Sequence, residues 1–242
     1  MTEEPVLAAV GIRKRFGALT VLDGVDFAVP VGGAVGIVGP NGAGKTTLLN
    51  VLAGSLRADK GRVELNGRDV TGTRAAKRCR LGIGRAFQIP RPFGDMTVFE
   101  NVLVGSSSGG GRRAVYPRAI EALDLCGLGD VANRRAESLG LLRRKRLELA
   151  RALATAPDIL LLDEIGGGLT DAEADELLET IAVLKERGIA IVWIEHIVHV
   201  LVRGVTRLVA MDQGAIIADG APDEVMRDAR VIDAYLGRQA TS

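Results

Sequence analysis

The chain has 242 residues, 25 % of them charged, and a formal net charge of +1. Its length fits one large domain, or a core with a small inserted subdomain. The charge gives no electrostatic argument for a nucleic-acid partner, since DNA and RNA binders carry a strong basic excess.

Met1-Thr2-Glu3-Glu4-Pro5 has neither the basic region nor the apolar stretch of a signal peptide. Apolar runs of about six residues fall far short of the ~20 that a membrane span needs. Aromatics make up only 3 %, so Val, Leu, Ile and Ala must fill the core. Cys79 and Cys126 lack metal-type spacing and read as inert thiols of a reducing compartment.

Val6–Ile12 and Val25–Val29 read as strands, joined by a loop through Phe16-Gly17 and Asp23-Gly24. Val35–Val38 is a short apolar strand. Gly61–Gly67 is a strand closed by an Asn-Gly turn, the signature of an edge hairpin. Ile83–Gln88 reads as another buried strand. Two prolines make Ile89–Gly94 irregular, because each fixes φ and removes a donor. Thr97–Glu100 spells a capping box for a helix, and Ser106–Gly111 reads as a flexible linker. Helical spacing runs from Ala114 to about Leu139, broken at Gly127–Gly129, so that roughly 97–150 forms a mostly helical insert.

Asp158–Asp163 and Ile189–Ile194 are continuous apolar runs, as expected of parallel strands covered on both faces. Between them Thr170 caps a helix whose Leu177, Leu178, Ile181 and Leu184 share a face, and Gly188 ends it. Trp193 reads as core. The tail holds short strands Arg207–Met211 and Ala215–Ala218, then two short helices ending near Leu236.

The chemistry centres on Gly39-Pro40-Asn41-Gly42-Ala43-Gly44-Lys45-Thr46-Thr47, set between a strand and an amphipathic helix. Such a loop turns backbone N–H groups into one concavity at a helix N-terminus. Lys45 can then reach β- and γ-phosphates, and the Thr46 hydroxyl can ligate Mg²⁺. Asp163 and Glu164 end a buried strand, where one can hold Mg²⁺ through its water shell and the other can orient the attacking water. His196 ends the neighbouring strand on the same sheet edge and can approach the γ-phosphate. His199 reads as an ordinary surface or packing residue. Phe16 offers a platform for adenine. Gln88 sits where strand gives way to insert and can sense phosphate. Arg143-Arg144-Lys145-Arg146 form a basic first turn that opposes the helix dipole. Either an anion lies nearby, such as nucleotide phosphate or lipid headgroups, or the face is solvated.

Together these residues resemble the ATP-binding subunit of an ABC transporter, from about Leu7 to Gly237. The family's Walker A falls on Gly39–Thr47, its Walker B on Ile159–Asp163, and its catalytic glutamate on Glu164. Its stacking aromatic falls on Phe16, its Q-loop on Gln88, its switch histidine on His196, and its D-loop on Gly168–Asp171. Phe87-Gln88, Met96–Leu103 and Val231–Gly237 are similar to the branched-chain amino acid importers. The lipopolysaccharide-export ATPase is similar in its tail but a poorer match around Gln88.

The resemblance implies an α/β P-loop NTPase core with a mainly parallel sheet, an antiparallel β edge and an inserted helical subdomain. Residues 1–88 and 151–242 would make the core, and about 89–150 the helical subdomain. It implies Glu164, His196 and Gln88 in catalysis, and Thr46, Gln88 and Asp163 around Mg²⁺. Phe16 and Gly39–Thr47 would bind ATP, joined by Gly140 and Asp171. The implied setting is the cytoplasmic face of the plasma membrane, with a second ABC ATPase subunit paired head to tail. Two integral membrane permeases would be engaged there, fed by a periplasmic or extracellular solute-binding protein, with no nucleic acid involved.

One motif departs. The family's Leu-Ser-Gly-Gly-Gln signature falls on Leu139-Gly140-Leu141-Leu142-Arg143, which lacks the serine hydroxyl. Losing one charge-assisted hydrogen bond weakens a γ-phosphate contact by about 1.5–3 kcal/mol. Ile165-Gly166-Gly167 replaces the usual proline turn, and its glycines should loosen the D-loop. Two readings follow: an ATPase energising amino-acid import, or a hydrolysis-impaired, nucleotide-gated subunit that works only in a heterodimer. A soluble DNA-repair or translation factor is disfavoured by charge and length.

Overall fold

The computed structural model describes residues 4–108 and 114–236. Its strands are β1 (Pro5–Phe16), β2 (Leu19–Pro30), β3 (Ala34–Val38), β4 (Lys60–Leu65), β5 (Arg68–Asp69), β6 (Ile83–Ala86), β7 (Ile159–Asp163), β8 (Ala190–Ile194), β9 (Arg207–Asp212) and β10 (Ala215–Gly220). Its helices are α1 (Lys45–Ala53), α2 (Ala75–Arg80), α3 (Val98–Ser108), α4 (Val115–Leu125), α5 (Leu141–Leu153), α6 (Asp171–Glu186), α7 (Val198–Gly204), α8 (Pro222–Arg227) and α9 (Ala229–Leu236).

Two sheets carry the fold. The larger runs β10-β9-β3-β8-β7-β6, with β9, β3, β8, β7 and β6 mutually parallel and β10 antiparallel at the edge. The smaller, β2-β1-β4-β5, is antiparallel throughout. Every residue of β3, β7 and β8 is buried, as their unbroken apolar runs require. Parallel alignment puts the C-terminal ends of those three strands on one edge, where Gly39, Glu164 and Glu195 follow directly.

One face of the large sheet packs on α1 and the antiparallel sheet, through Leu48, Leu49, Leu52, Ile37, Leu161 and Val192 among others. The other packs on α6, α7 and the helical segment, through Ile181, Leu184, Leu201, Leu149 and Trp193. Trp193 is fully buried, as its apolar strand predicted. Burial pushes the Cys126 thiol up to about 12, which makes it inert.

The turns follow their residues. Asn66 and Gly67 both take positive φ (49° and 72°) between the paired Leu65 and Arg68, the geometry of a two-residue hairpin. Thr97 and Glu100 form the predicted capping box ahead of α3, and Thr170 and Glu173 form one at α6.

Several boundaries differ from the sequence reading. β1 and β2 run to a tight turn, with Phe16 opposite Leu19, and Asp23-Gly24 lies inside β2 beside register shifts. Polar Arg13, Lys14 and Arg15 hid that extension, because backbone pairing continues where no apolar face does. β6 stops at Ala86, leaving Phe87 and Gln88 beyond the ladder. α3 runs through Ser106 to Ser108, so that part of the expected linker is helix; Gly109–Gly111 lie outside the described residues. Helical spacing after Ala114 resolves into α4 and two short 3₁₀ turns, Gly129–Val131 and Ala136–Ser138.

Candidate functional site

The phosphate loop is built by the exit of β3 into α1. Gly39, Gly42 and Gly44 take φ of 147°, 79° and 102°, conformations open to glycine. A Cβ at Gly39 would lie 2.1 Å from the Met211 carbonyl oxygen, and one at Gly44 would lie 2.8 Å from that of Val21. The loop is therefore pressed between β9 and β2. The amide of Gly214, in the β9–β10 turn, donates to the Ala43 carbonyl at 3.0 Å and supports it from behind.

No side chain caps α1, and no acid stands in its first turn. Such a helix N-terminus suits an anion. Lys45 is buried, and its Nζ donates to the carbonyls of Gly39 (2.6 Å) and Pro40 (3.0 Å). Val21, Asn41, Gly42, Ala43, Gly44, Lys45, Thr46, Thr47, Glu164 and His196 line one cleft of about 170 Å³. Two of the three strand-end candidates, Glu164 and His196, are thus brought to the loop, whereas Asp163 does not line this cleft.

Glu164 sits at φ 50°, a left-handed conformation that costs a non-glycine residue of order 1 kcal/mol or more. Its amide donates to the Ile194 carbonyl at 2.8 Å, which holds it there. His196 Nε2 stands 2.8 Å from Glu164 Oε1, and Gln88 Nε2 donates to Glu164 Oε2. Both carboxylate oxygens are thereby engaged.

Asp163 is buried and paired at 2.8 Å with Arg85 Nη2, while Arg85 Nη1 donates to Asn50 Oδ1 at 2.7 Å. Gln88 and Asp163 also line an adjoining cleft of about 470 Å³. The sequence reading missed Arg85, although its signal was present. A cation inside a buried strand, flanked by Gly84 and Ala86, demands a buried partner.

Phe16 is half exposed at the end of the first hairpin, with Lys14 Nζ 5.5 Å over its ring. It does not line the loop cleft, although β2 of that hairpin contributes Val21. Gly140 is the exposed N-cap of α5, with no side-chain cap. Asp171 is exposed at the first turn of α6, with His199 Nε2 4.0 Å away. Neither Gly140 nor Asp171 lines the loop cleft.

The basic turn of α5 finds protein partners. Arg143 pairs with Asp130 and Arg146 with Glu176. Arg144 donates to the carbonyls of Leu139 and Glu137. Lys145 is buried and donates to the Ile165 carbonyl at 3.0 Å. These cations tie the start of α5 to neighbouring segments.

The turn Ile165-Gly166-Gly167 that precedes the D-loop is itself held by two contacts. Lys145 holds the Ile165 carbonyl, and the Gly166 amide donates to Glu195 Oε1. Glycine is used at 166 because a Cβ would stand 2.9 Å from that oxygen.

Burial of Lys145 lowers its pKa, opposed by Glu195 and Glu164. Burial likewise raises the Glu195 carboxyl above the ordinary 4.5, opposed first by the Gly166 amide. A carboxyl raised in the folded state contributes stability that is fully present below about pH 4.5. That contribution is lost as pH rises through the folded value. Glu195→Gln keeps an acceptor for Gly166 and removes this loss. The Tm of the variant should therefore gain on the parent as pH climbs from 5 toward 8, read by calorimetry.

Residues 22–166 match the ABC transporter family, and residues 215–241 match the branched-chain amino acid ATP-binding cassette transporter family. The chain is 34 % identical over 250 residues to a probable branched-chain amino acid transport ATP-binding protein of Methanocaldococcus jannaschii, covering 96 % of this chain and 97 % of that one. It is 38 % identical over 252 residues to a high-affinity protein of the same description from Salmonella typhimurium, covering 97 % and 98 %. Among solved structures it resembles a nucleotide-free ATP-binding cassette from an ABC transporter, with a TM-score of 0.88, 32 % identity, and 96 % and 98 % coverage. An ADP-bound cassette gives 0.88 and 33 %, covering 96 % and 99 %.

Proposed function

Because the chain belongs to the ABC transporter family of ATP-binding subunits, we propose that it hydrolyses ATP to drive an importer of branched-chain or related amino acids. The observation that carries this reading is the shared cleft in which Glu164 and His196 face the loop around Lys45. Lys45 would leave the Gly39 and Pro40 carbonyls for the β- and γ-phosphates, and the α1 amides would complete the cradle. Phe16 would stack on adenine.

Thr46, exposed at the loop, and Asp163, with Oδ2 on Arg85, offer hard oxygens that suit Mg²⁺, which takes few protein ligands and keeps several waters. Gln88 can add its amide oxygen. When bound, that ion supplies neutralisation of the developing phosphate charge. Glu164 would orient the attacking water and accept its proton as the β–γ phosphoanhydride bond breaks. It must first release one of its two present partners, His196 or Gln88. His196 swinging to the γ-phosphate, and Gln88 moving with the helical segment, would each free one oxygen. Residues 89–150 would act as the helical subdomain on a core of 1–88 and 151–242.

Gly140 at the start of α5 and Asp171 at the start of α6 would serve the facing site of a second ATPase subunit, paired head to tail. Among the described residues, no helix is long and apolar enough to cross a membrane. We place the subunit peripherally on the cytoplasmic face of two permeases, with a solute-binding protein outside.

The signature Leu139-Gly140-Leu141-Leu142-Arg143 favours an asymmetric pair. The uncapped α5 terminus offers amides, while Arg143 is spent on Asp130 and no hydroxyl is present. A partner with an intact signature would complete this chain's own loop site. The test is ATP turnover by the purified chain alone and mixed with the second ATPase subunit. Turnover in the mixture at least tenfold above the chain alone supports the asymmetric pair; equal turnover removes it. Absence of turnover in both removes the ATPase reading.

A further inference from the structure

We propose that Tyr235, on α9, is a positioning residue for nucleotide binding: its hydroxyl fixes the first peptide of the phosphate loop. The Gly39 amide donates to Tyr235 Oη at 2.8 Å, across 196 positions of sequence. The proposal rests on the reading that nucleotide occupies the loop of Lys45.

Gly39 is held from three sides. The Met211 carbonyl leaves no room for a Cβ, and the phenol takes the amide. The carbonyl of the same residue accepts from Lys45 Nζ at 2.6 Å. The residue that parks the lysine ammonium is therefore the residue whose backbone Tyr235 orients. Lys45 must exchange that carbonyl for phosphate, so the aim of Gly39 sets the starting point of the exchange. Without the hydroxyl, a part-buried amide loses its acceptor and the loop is free to turn. Nucleotide would then have to reorder it on binding.

The phenol is itself anchored. Val231 is buried, and Asp228 Oδ1 accepts from the Arg230 amide at 2.8 Å where α9 begins. The α9 helix packs on α8 and β10, and Tyr235 packs against the main core. Burial raises the Tyr235 pKa, with the Gly39 amide opposing, which keeps the hydroxyl neutral at physiological pH. This gives the C-terminal segment a task at the opposite end of the chain.

The test is Tyr235→Phe in the full chain, with ATP and ADP binding followed by calorimetry and unfolding followed without nucleotide. The ring keeps its packing, so the Tm should fall by only about 2–4 °C, the worth of one lost hydrogen bond of about 1 kcal/mol. Both dissociation constants should rise about three- to tenfold, the worth of one hydrogen bond. In the turnover-competent mixture KM for ATP should rise while kcat is kept. Unchanged affinity, with or without a lower Tm, would overturn the proposal while leaving the loop reading intact. If the parent chain binds neither nucleotide, both fail together.

Discussion

Lys45→Ala is expected to weaken ATP binding by about tenfold to a hundredfold while leaving the fold in place. Hydrogen bonds from a charged donor contribute about 1.5–3 kcal/mol each in net terms, and every 1.4 kcal/mol is a factor of ten. In the free chain the ammonium is buried and satisfied by the carbonyls of Gly39 and Pro40. Alanine removes both a desolvated charge and those two bonds, effects of opposite sign on stability. Phosphate has no such offset, because the loop amides that remain are dipoles and cannot replace a full charge. Calorimetry of ATP and ADP against variant and parent reads the difference. Equal affinities would place the triphosphate elsewhere and remove the basis for every role assigned to this cleft. Lys45→Arg should not rescue, because the larger planar fork does not fit a buried site shaped for an ammonium by the Gly39 and Pro40 carbonyls.

What the sequence made legible was local chemistry with a strong spatial consequence. The glycines at 39, 42 and 44 announce a loop because no other residue tolerates those backbones, and apolar runs ending in Asp163 and Glu195 announce parallel strands that share an edge. Placing Glu164 and His196 beside Lys45 followed from that edge alone. What remained hidden depends on partners far away in the chain. Arg78 is almost fully buried, yet its guanidinium reaches the carbonyls of Val51 and Leu52 at the end of α1. Nothing in its own neighbourhood betrays that. Lys145 looked like one cation in a basic turn, and only tertiary packing turned it onto Ile165. The glycines at 166 and 167 looked like slack for the same reason, since propensity cannot see the Glu195 carboxylate that binds the turn. Arg85 lay between these cases: a misplaced charge was visible, but its partners, Asp163 and Asn50, came from other elements.

Glu164→Gln should separate binding from chemistry. A positioned base contributes about 10²–10⁴ in rate, so turnover in the competent mixture should fall by that factor. ATP affinity should stay within about twofold, because the phosphate contacts belong to Lys45 and the α1 amides. The geometry gives the expectation a second edge. Glu164 now has His196 Nε2 at 2.8 Å from one oxygen and accepts from Gln88 on the other. Glutamine keeps one acceptor oxygen and gains a donor nitrogen, so it can hold both neighbours once His196 Nε2 or the Gln88 amide turns an acceptor toward it, while losing the carboxylate that takes the proton. The substituted site therefore keeps its shape yet has no base to take the proton of an attacking water. ATP should accordingly persist unhydrolysed in the paired subunits, visible as a stable ATP-bound assembly in single-turnover mixing and gel filtration. Full turnover by Glu164→Gln would mean that another group orients the water, and the strained φ of Glu164 would then need a different explanation. Loss of turnover together with loss of ATP affinity would instead assign Glu164 to holding the loop, through the cleft that it shares with Lys45.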